Sequence, residues 1–427
     1  MKFYMLICSF LLAVCLQAQQ NPPVISQSET QRIEKTLSDD DMQGRATFTA
    51  GIEKAAAFIA SEFKAAGLQP LAGSTGYLQD FTLTRSTFLS ANANFDGQAV
   101  DPRYIVAFTS NPRLSFTQDS GYSKGFIKPG DNFRSEASKY IQSDKSWLIL
   151  VDTSFSKEMR QMATYRRPRF KNDRSAVFVL SSMDPKVYSV EVSHDVVKSK
   201  LANVVGILPG KSKKDEYVIF SGHYDHLGIG KPDAQGDSVY NGANDDASGT
   251  TAVIQLARYF KQKGDNERTL VFAAFTAEEM GGYGSQYFSK QFDPLKVMAM
   301  FNIEMIGTES KWGINSAYIT GYEKTDMGAI LEKNLVGSPF SFHADPYTQE
   351  NLFYRSDNAT LARQGVPAHT ISTSKMDNEP HYHKPSDEIQ TLDLKNMTEI
   401  IRAIAISSTS IIAGKDTPSR VDTKQLK

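Results

Sequence analysis

Five separated residues give this chain its chemistry: His223, Asp245, Glu279, Glu304 and His383. They stand in the strings GHYDH, GANDDASG, AEEMGG, FNIEMIG and HYHKPSD. Two imidazoles and three carboxylates form a hard-to-borderline donor set that suits two zinc ions. Glu278, beside Glu279, offers a further carboxylate able to act as a base. The pattern points to metal-assisted hydrolysis. Each residue also has an ordinary reading. A lone His is more often a hydrogen-bonded structural group than a ligand, and His194, His343 and His369 take that reading. His226 ranks second to His223. A Glu pair usually lies on a solvated helix face, but Glu278-Glu279 follows a fully apolar strand. GANDDASG alone could be a turn and helix cap. The weight rests on all five strings occurring in order.

These residues are separated by apolar runs that would position them. EYVIFSG leads to His223, TLVFAAF to Glu278 and Glu279, and VMAMFNI to Glu304. With NVVGIL, SAYITG and VPAHTIS these runs read as strands, several apolar throughout, as strands buried on both faces are. Helices are expected near Ala247, Asp357 and Leu392, the last with Leu394, Met397, Ile400, Ile401 and Ile404 on one face. The alternation implies an α/β fold: three layers, with a mixed, largely parallel sheet flanked by helices. In open α/β sheets sites form at the carboxyl ends of strands, so the ligands would converge along one edge. Asp245 lies in a Gly-rich loop before a helix, where helix amides support a carboxylate. Asp225, two residues past His223, and Asp387, four past His383, are candidates to orient the imidazoles.

Upstream, Thr30 to Gly67 reads as helical, with Ile52, Ala55, Ala56, Ile59 and Phe63 at helical spacing. From about Phe81 to His194 the texture changes to short β-like runs (YIVAF, SWLILVD, SAVFVLS) between polar loops. The expected organisation is a catalytic unit over 27–80 and 195–414, an inserted, mostly β subdomain over 81–194, and a polar, disordered tail over 415–427. The basic stretch MATYRRPRFKNDR reads as a solvated loop.

Residues 1–18 read as a secretory signal peptide: Lys2, an apolar stretch from Phe3 to Leu16, and a cleavage site at Leu16-Gln17-Ala18. Export to the periplasm or the extracellular space is expected, with lipid anchoring at Cys15 a minor alternative. Both cysteines, Cys8 and Cys15, fall in this leader, so the remainder has no disulfide and no thiolate ligand. The 427 residues carry 47 basic against 48 acidic side chains, a balance that gives no reason to expect nucleic acid or an anionic membrane as partner. Nor is any later segment long and apolar enough to suggest stable membrane insertion.

The string series GHYDH, GANDDASG, AEEMGG, NIEMIG and YHKPSD resembles that of the M28 family of zinc metallopeptidases, the relatives of bacterial leucyl aminopeptidases. DDDMQGRATFTAG resembles the N-terminal segment of such enzymes, and the inserted region resembles the protease-associated domain often found within them. The resemblance covers about Thr30 to Gly67 and Ala202 to Gly414. It implies Asp245 as the bridge between two Zn2+ ions, one completed by Glu279 and His383, the other by His223 and Glu304. It implies Glu278 as general base and Tyr382 as a group polarising the substrate carbonyl. Arg355, Ser356 and Asp357 resemble a substrate-site segment in which the family often has Ser-Asp-His; Asn358 replaces that His. Glu304 stands where the family more often has Asp, keeping the charge but adding a methylene.

The activity so implied is removal of N-terminal residues from peptides with a free N-terminus, through a water shared by the two metals. Two alternatives remain. A glutaminyl cyclase-like acyltransferase of the same fold would need one zinc, held by Asp245, Glu279 and His383. A carboxypeptidase would need a basic pocket for the substrate carboxylate. A non-catalytic binding protein on this fold would be expected to have eroded ligands, and all five are present.

Overall fold

The fold comes from a computed structural model that describes residues 24–165 and 167–426. The expected leader, with both cysteines, lies outside the described residues. One large sheet organises the chain. At its centre the strand Lys213–His223 pairs in parallel with Arg268–Phe275 on one side and Val297–Ile303 on the other. Val297–Ile303 pairs in parallel with Ala368–Ser372. These four strands therefore end at the same edge. All four are buried in their middles, the first three with apolar side chains there and Ala368–Ser372 with the hydrogen-bonded His369 and Thr370. Beyond them Ser316–Ile319 joins antiparallel to Ala368–Ser372, and Tyr188–Leu208 antiparallel to Arg268–Phe275, so the sheet is mixed.

Helices cover both faces. On one, Gln27–Leu37, Ala50–Ala65, Ser248–Lys263 and Leu394–Ser407 pack their apolar stripes against Val218, Phe220, Phe272 and Phe301. On the other, Tyr283–Ser289 and Asn358–Ala362 cover Ile219, Val271, Ala273 and Met300. The helix Ser248–Lys263 stops where Gly264 adopts φ 57° and returns its amide to the Phe260 carbonyl, with Lys261 and Lys263 in the negative last turn.

The stretch expected to be helical from Thr30 to Gly67 is two helices with an irregular turn between them. The reason is Arg45. Its side chain is fully buried and donates to the carbonyls of Leu37, Tyr224, Asn241 and Gly242. To bring it inside, the chain turns through positive φ at Gln43, Gly44 and Arg45. A Cβ on Gly44 would lie 2.6 Å from the carbonyl oxygens of Gly228 and Tyr240, so only glycine fits there.

The two long strands Leu78–Phe95 and Tyr188–Leu208 form a ribbon leading out of the main sheet. At its far end sits a second sheet, in the order Ile105–Phe108, Ala176–Leu180, Trp147–Val151, Ser123–Ile127. One of its faces packs on the ribbon and the other on the helices Phe133–Ile141 and Ser156–Ala163. This inserted unit is mostly β, with its two helices on the outer face of its sheet. The described residues from Lys415 to Leu426 are not a disordered tail. Arg268 donates to the Asp416 carbonyl and the Thr417 hydroxyl, Arg420 to the Val297 carbonyl, and Val421 is buried. Few apolar residues mark that segment in sequence, because polar contacts hold it. No helix among the described residues is long and apolar enough to cross a membrane.

Candidate metal centre

The shared strand edge assembles the site. His223 is the last residue of its strand, Glu278 and Glu279 follow Phe275 after a short turn, and Glu304 follows Ile303. Asp245 enters from the loop before the helix Ser248–Lys263, and His383 from the loop after Ala368–Ser372. Ala277, Met305 and His383 adopt positive φ of 58°, 53° and 55°. Such backbone is costly for residues with a Cβ and is held only where its surroundings fix it. Two of these residues adjoin Glu278 and Glu304, and the third is itself a candidate ligand.

The two carboxylate oxygens of Asp245 face different groups. Oδ1 lies 3.2 Å from His223 Nε2. Oδ2 lies 3.2 Å from His383 Nε2, which is in turn 3.3 Å from Glu279 Oε1. His223, Asp245 and Glu304 bring one ligand atom each to within 4.8 Å of one another. So do His226, Asp245 and Glu279. His226, ranked below His223 in the sequence, does not compete for the His223 position. It lies on the opposite side of Asp245, with Nδ1 2.9 Å from Glu279 Oε1.

The donor set fits zinc. Two ligand atoms bound tetrahedrally at zinc distances are roughly 3.4 Å apart, close to the separations around Asp245. His223 Nε2, His226 Nε2 and Glu304 Oε2 are buried without a hydrogen-bond partner among the described residues. Buried polar atoms otherwise find partners, so several orphans around one carboxylate mark a place for a cation. Electrostatics agree. Burial alone would raise Asp245 and Glu279, but the imidazoles beside them hold Asp245 well below the usual carboxylate range and Glu279 at about 2. Burial pushes Glu304 up to about 7, and Glu278 well above its usual range. Glu304 is within reach of the His223 group despite its extra methylene.

The supporting residues work through the backbone. The Asp225 carboxylate is 3.8 Å from His223 Nδ1, and the hydrogen-bond partner of that nitrogen is the Asp225 carbonyl, at 3.1 Å. The carboxylate instead accepts the amides of Glu278 and Glu279, at 3.0 and 3.3 Å. Asp387 likewise leaves His383 alone and accepts the amides of Asn244 and Asp245, at 2.8 and 3.0 Å. The sequence reading missed Asp246. It is fully buried and accepts the amides of His223, Gly249 and Met305, joining three ligand-bearing segments. A Cβ on Gly249 would lie 2.1 Å from the Ile303 carbonyl, so glycine permits this approach. The only sequence signal was its place beside Asp245 in GANDDASG.

Tyr382 stacks on His383 at 3.9 Å between ring centres, and burial pushes its phenol up. It lines a small cavity with Asp245, Glu278, Met305, Leu352 and Arg355. Arg355 is exposed and 3.3 Å from Glu350. Asp357 is buried beneath the site, and burial raises it to about 6. Asn358 is structural: its amide donates to the carbonyls of Phe353 and Ala368, and its oxygen accepts from Thr370. His369 is fixed between the Thr320 carbonyl and the Thr325 hydroxyl, and His343 stacks on Trp312. His194 is buried away from the site at the ribbon's bulge.

Residues 203–407 match the sequence model of peptidase family M28. A probable zinc metalloprotease of Pyrenophora teres f. teres is 38% identical over 109 residues, covering 25% of this chain and 23% of that protein. A probable leucine aminopeptidase of Trichophyton verrucosum is 29% identical over 210 residues, covering 46% of this chain and 54% of that protein. The chain thus spans about a quarter to about half the length of these relatives. The solved structure of BSAP, a zinc aminopeptidase from Bacillus subtilis, superposes over 95% of this chain and 98% of its own, with a TM-score of 0.55 and 15% identity. At that identity the likeness speaks for the fold.

Proposed function

From a chain that belongs to peptidase family M28 through residues 203–407, we propose an exported two-zinc aminopeptidase acting on peptides with a free N-terminus. One observation carries the reading. The two oxygens of Asp245 face separate ligand groups, His223 with Glu304 and Glu279 with His383 or His226. A single-zinc acyltransferase would need only the second group. The leader read in the sequence supports export.

When bound, zinc supplies Lewis acidity that lowers the pKa of water and polarises a carbonyl. The chain's own groups supply the rest. Glu278 lies beside Glu279 on the site wall, and burial raises its carboxyl well above the usual carboxylate range, which makes its ionised form a stronger proton acceptor. It takes the proton of the attacking water and returns it to the leaving amine nitrogen. Tyr382 keeps its proton because burial raises its phenol, so it can donate a hydrogen bond to the developing oxyanion. Asp225 holds Glu278 and Glu279 by their amides and Asp387 holds Asp245, so both sides of the site are set before substrate arrives.

The test is zinc content measured with a panel of substrates: Leu-p-nitroanilide, N-acetylated peptides, C-terminally amidated peptides and a peptide beginning with Gln. The expected result is two zincs per chain, cleavage of free-amine substrates only, and indifference to C-terminal amidation. Cyclisation of the Gln peptide without Leu-p-nitroanilide turnover would replace this reading with the acyltransferase one.

A further inference from the structure

The basic stretch MATYRRPRFKNDR does not simply face solvent. Tyr165, the residues 167–172 and Arg174 line a cleft of about 780 Å³ between the inserted unit and the main sheet's covering helices. Lys145, Arg167, Arg169, Lys171 and Arg174 reach it from the inserted unit, and Lys290 from the opposite wall. Among the described residues no Asp or Glu lines it. Among the described residues none of these six cations forms an ion pair. Arg169 is half-buried and rests on the Phe108 ring at 4.7 Å, and Lys290 on the Phe170 ring at 4.7 Å. Six like charges around one concavity focus a positive field into it, and a half-buried cation without an anion lacks its natural partner.

A groove that shares walls with both lies between the cleft and the metal centre. Gly281, Gln286 and Lys290 border both the cleft and this shallower groove of about 490 Å³. That groove shares Glu278, Arg355 and Ser356 with the cavity at the metal ligands. The latter cavity is about 60 Å³, room for little more than one side chain, so the rest of a bound peptide must leave it. The groove past Glu278 leads toward the cations.

We propose that this cleft binds the acidic downstream segment of the substrate, so that the enzyme prefers peptides carrying Asp or Glu beyond the residues at the metal centre. The proposal rests on the aminopeptidase reading above. It makes the inserted unit one wall of the substrate site.

The experiment uses the full zinc-loaded chain and two matched peptide pairs. For turnover, Leu-Ala-Asp-Glu-Asp-Glu is compared with Leu-Ala-Asn-Gln-Asn-Gln. The acidic peptide should show kcat/KM at least about tenfold higher at low salt, with the advantage falling toward unity at ~0.5 M salt. For binding, fluorescent N-acetylated forms report Kd without cleavage and should show the same ratio. Arg167→Gln with Arg174→Gln, or Lys171→Gln with Lys290→Gln on facing walls, should abolish the advantage in both assays. Turnover of Leu-p-nitroanilide, too short to reach the cleft, should stay at the wild-type level and also reports that each variant is folded. Equal Kd for the acidic and neutral peptides overturns the proposal, as does an advantage that survives both variants. Tighter binding of a single-stranded oligonucleotide than of the acidic peptide overturns the assignment to peptides. Failure of the aminopeptidase reading looks different: no turnover of Leu-p-nitroanilide by the wild-type protein, whatever the binding assay shows.

Discussion

His226 Nδ1 lies 2.9 Å from Glu279 Oε1, on the side of Asp245 opposite His223. Two histidines therefore serve the Glu279 side, because His383 Nε2 is 3.3 Å from the same oxygen. His383 also touches Asp245 Oδ2 at 3.2 Å, whereas His226 is 4.0 Å from it. On the proposed two-zinc reading, His383 is the ligand and His226 the group that fixes Glu279. His383→Ala is expected to lose one of two zincs. His226→Ala should keep both at saturating zinc but weaken the Glu279-side ion about 10- to 100-fold, the usual effect of losing a group that orients a ligand. Metal analysis with chelator competition reads both. Unchanged zinc affinity in His226→Ala would refute the supporting role.

Glu278→Gln keeps the size and position of the side chain but cannot carry a proton at neutral pH. It should retain both zincs and lose roughly 10²- to 10⁴-fold in kcat. Turnover near the wild-type rate in a zinc-replete sample would remove Glu278 from the mechanism.

The parts legible in the sequence were those with a local signature. The apolar runs before His223, Glu278 and Glu304 are strands that end at one edge. Contacts made through the backbone were not legible, because any carboxylate can accept an amide and nothing in the spacing says which. Asp225 and Asp387 lie beside the candidate ligands, yet each holds the amides of a distant loop rather than the imidazole near it in sequence. Asp246 carries three such bonds and looked like part of a cap. Arg45 breaks a helix that the apolar spacing extends without interruption, because its carbonyl partners lie up to 197 positions away.

The different grips of Asp387 and Asp225 separate their effects. An Asn side chain has one acceptor oxygen and cannot hold both amides. On the proposed two-zinc reading, Asp387→Asn loosens the Asp245 loop shared by both ions, so both zinc affinities should fall about 10- to 100-fold. Asp225→Asn loosens only Glu278 and Glu279, so one zinc should weaken and kcat should fall. Stepwise chelator titration distinguishes one weakened ion from two. Identical titration profiles for the two variants would show that neither contact is selective.

Glu34 gives a pH dependence outside the ligand set. It lies on the helix Gln27–Leu37, fully buried, with one oxygen accepting from the Thr251 hydroxyl at 2.8 Å and the other without a hydrogen-bond partner among the described residues. Burial pushes its carboxyl up to about 8. In the unfolded chain it would lose its proton near pH 4 to 5. Between those values the folded state binds more protons than the unfolded one, so stability falls as pH rises through that window. From pH 6 to pH 8 this group removes roughly 2 kcal/mol. Glu34→Gln mimics the protonated form and has no proton to lose. Its stability relative to wild type should therefore rise by about 2 kcal/mol over the same interval. Urea unfolding at both pH values, with saturating zinc, measures the difference between the two proteins. A difference that stays constant from pH 6 to pH 8 would show that Glu34 is ionised throughout and that Arg45, close by, compensates its charge.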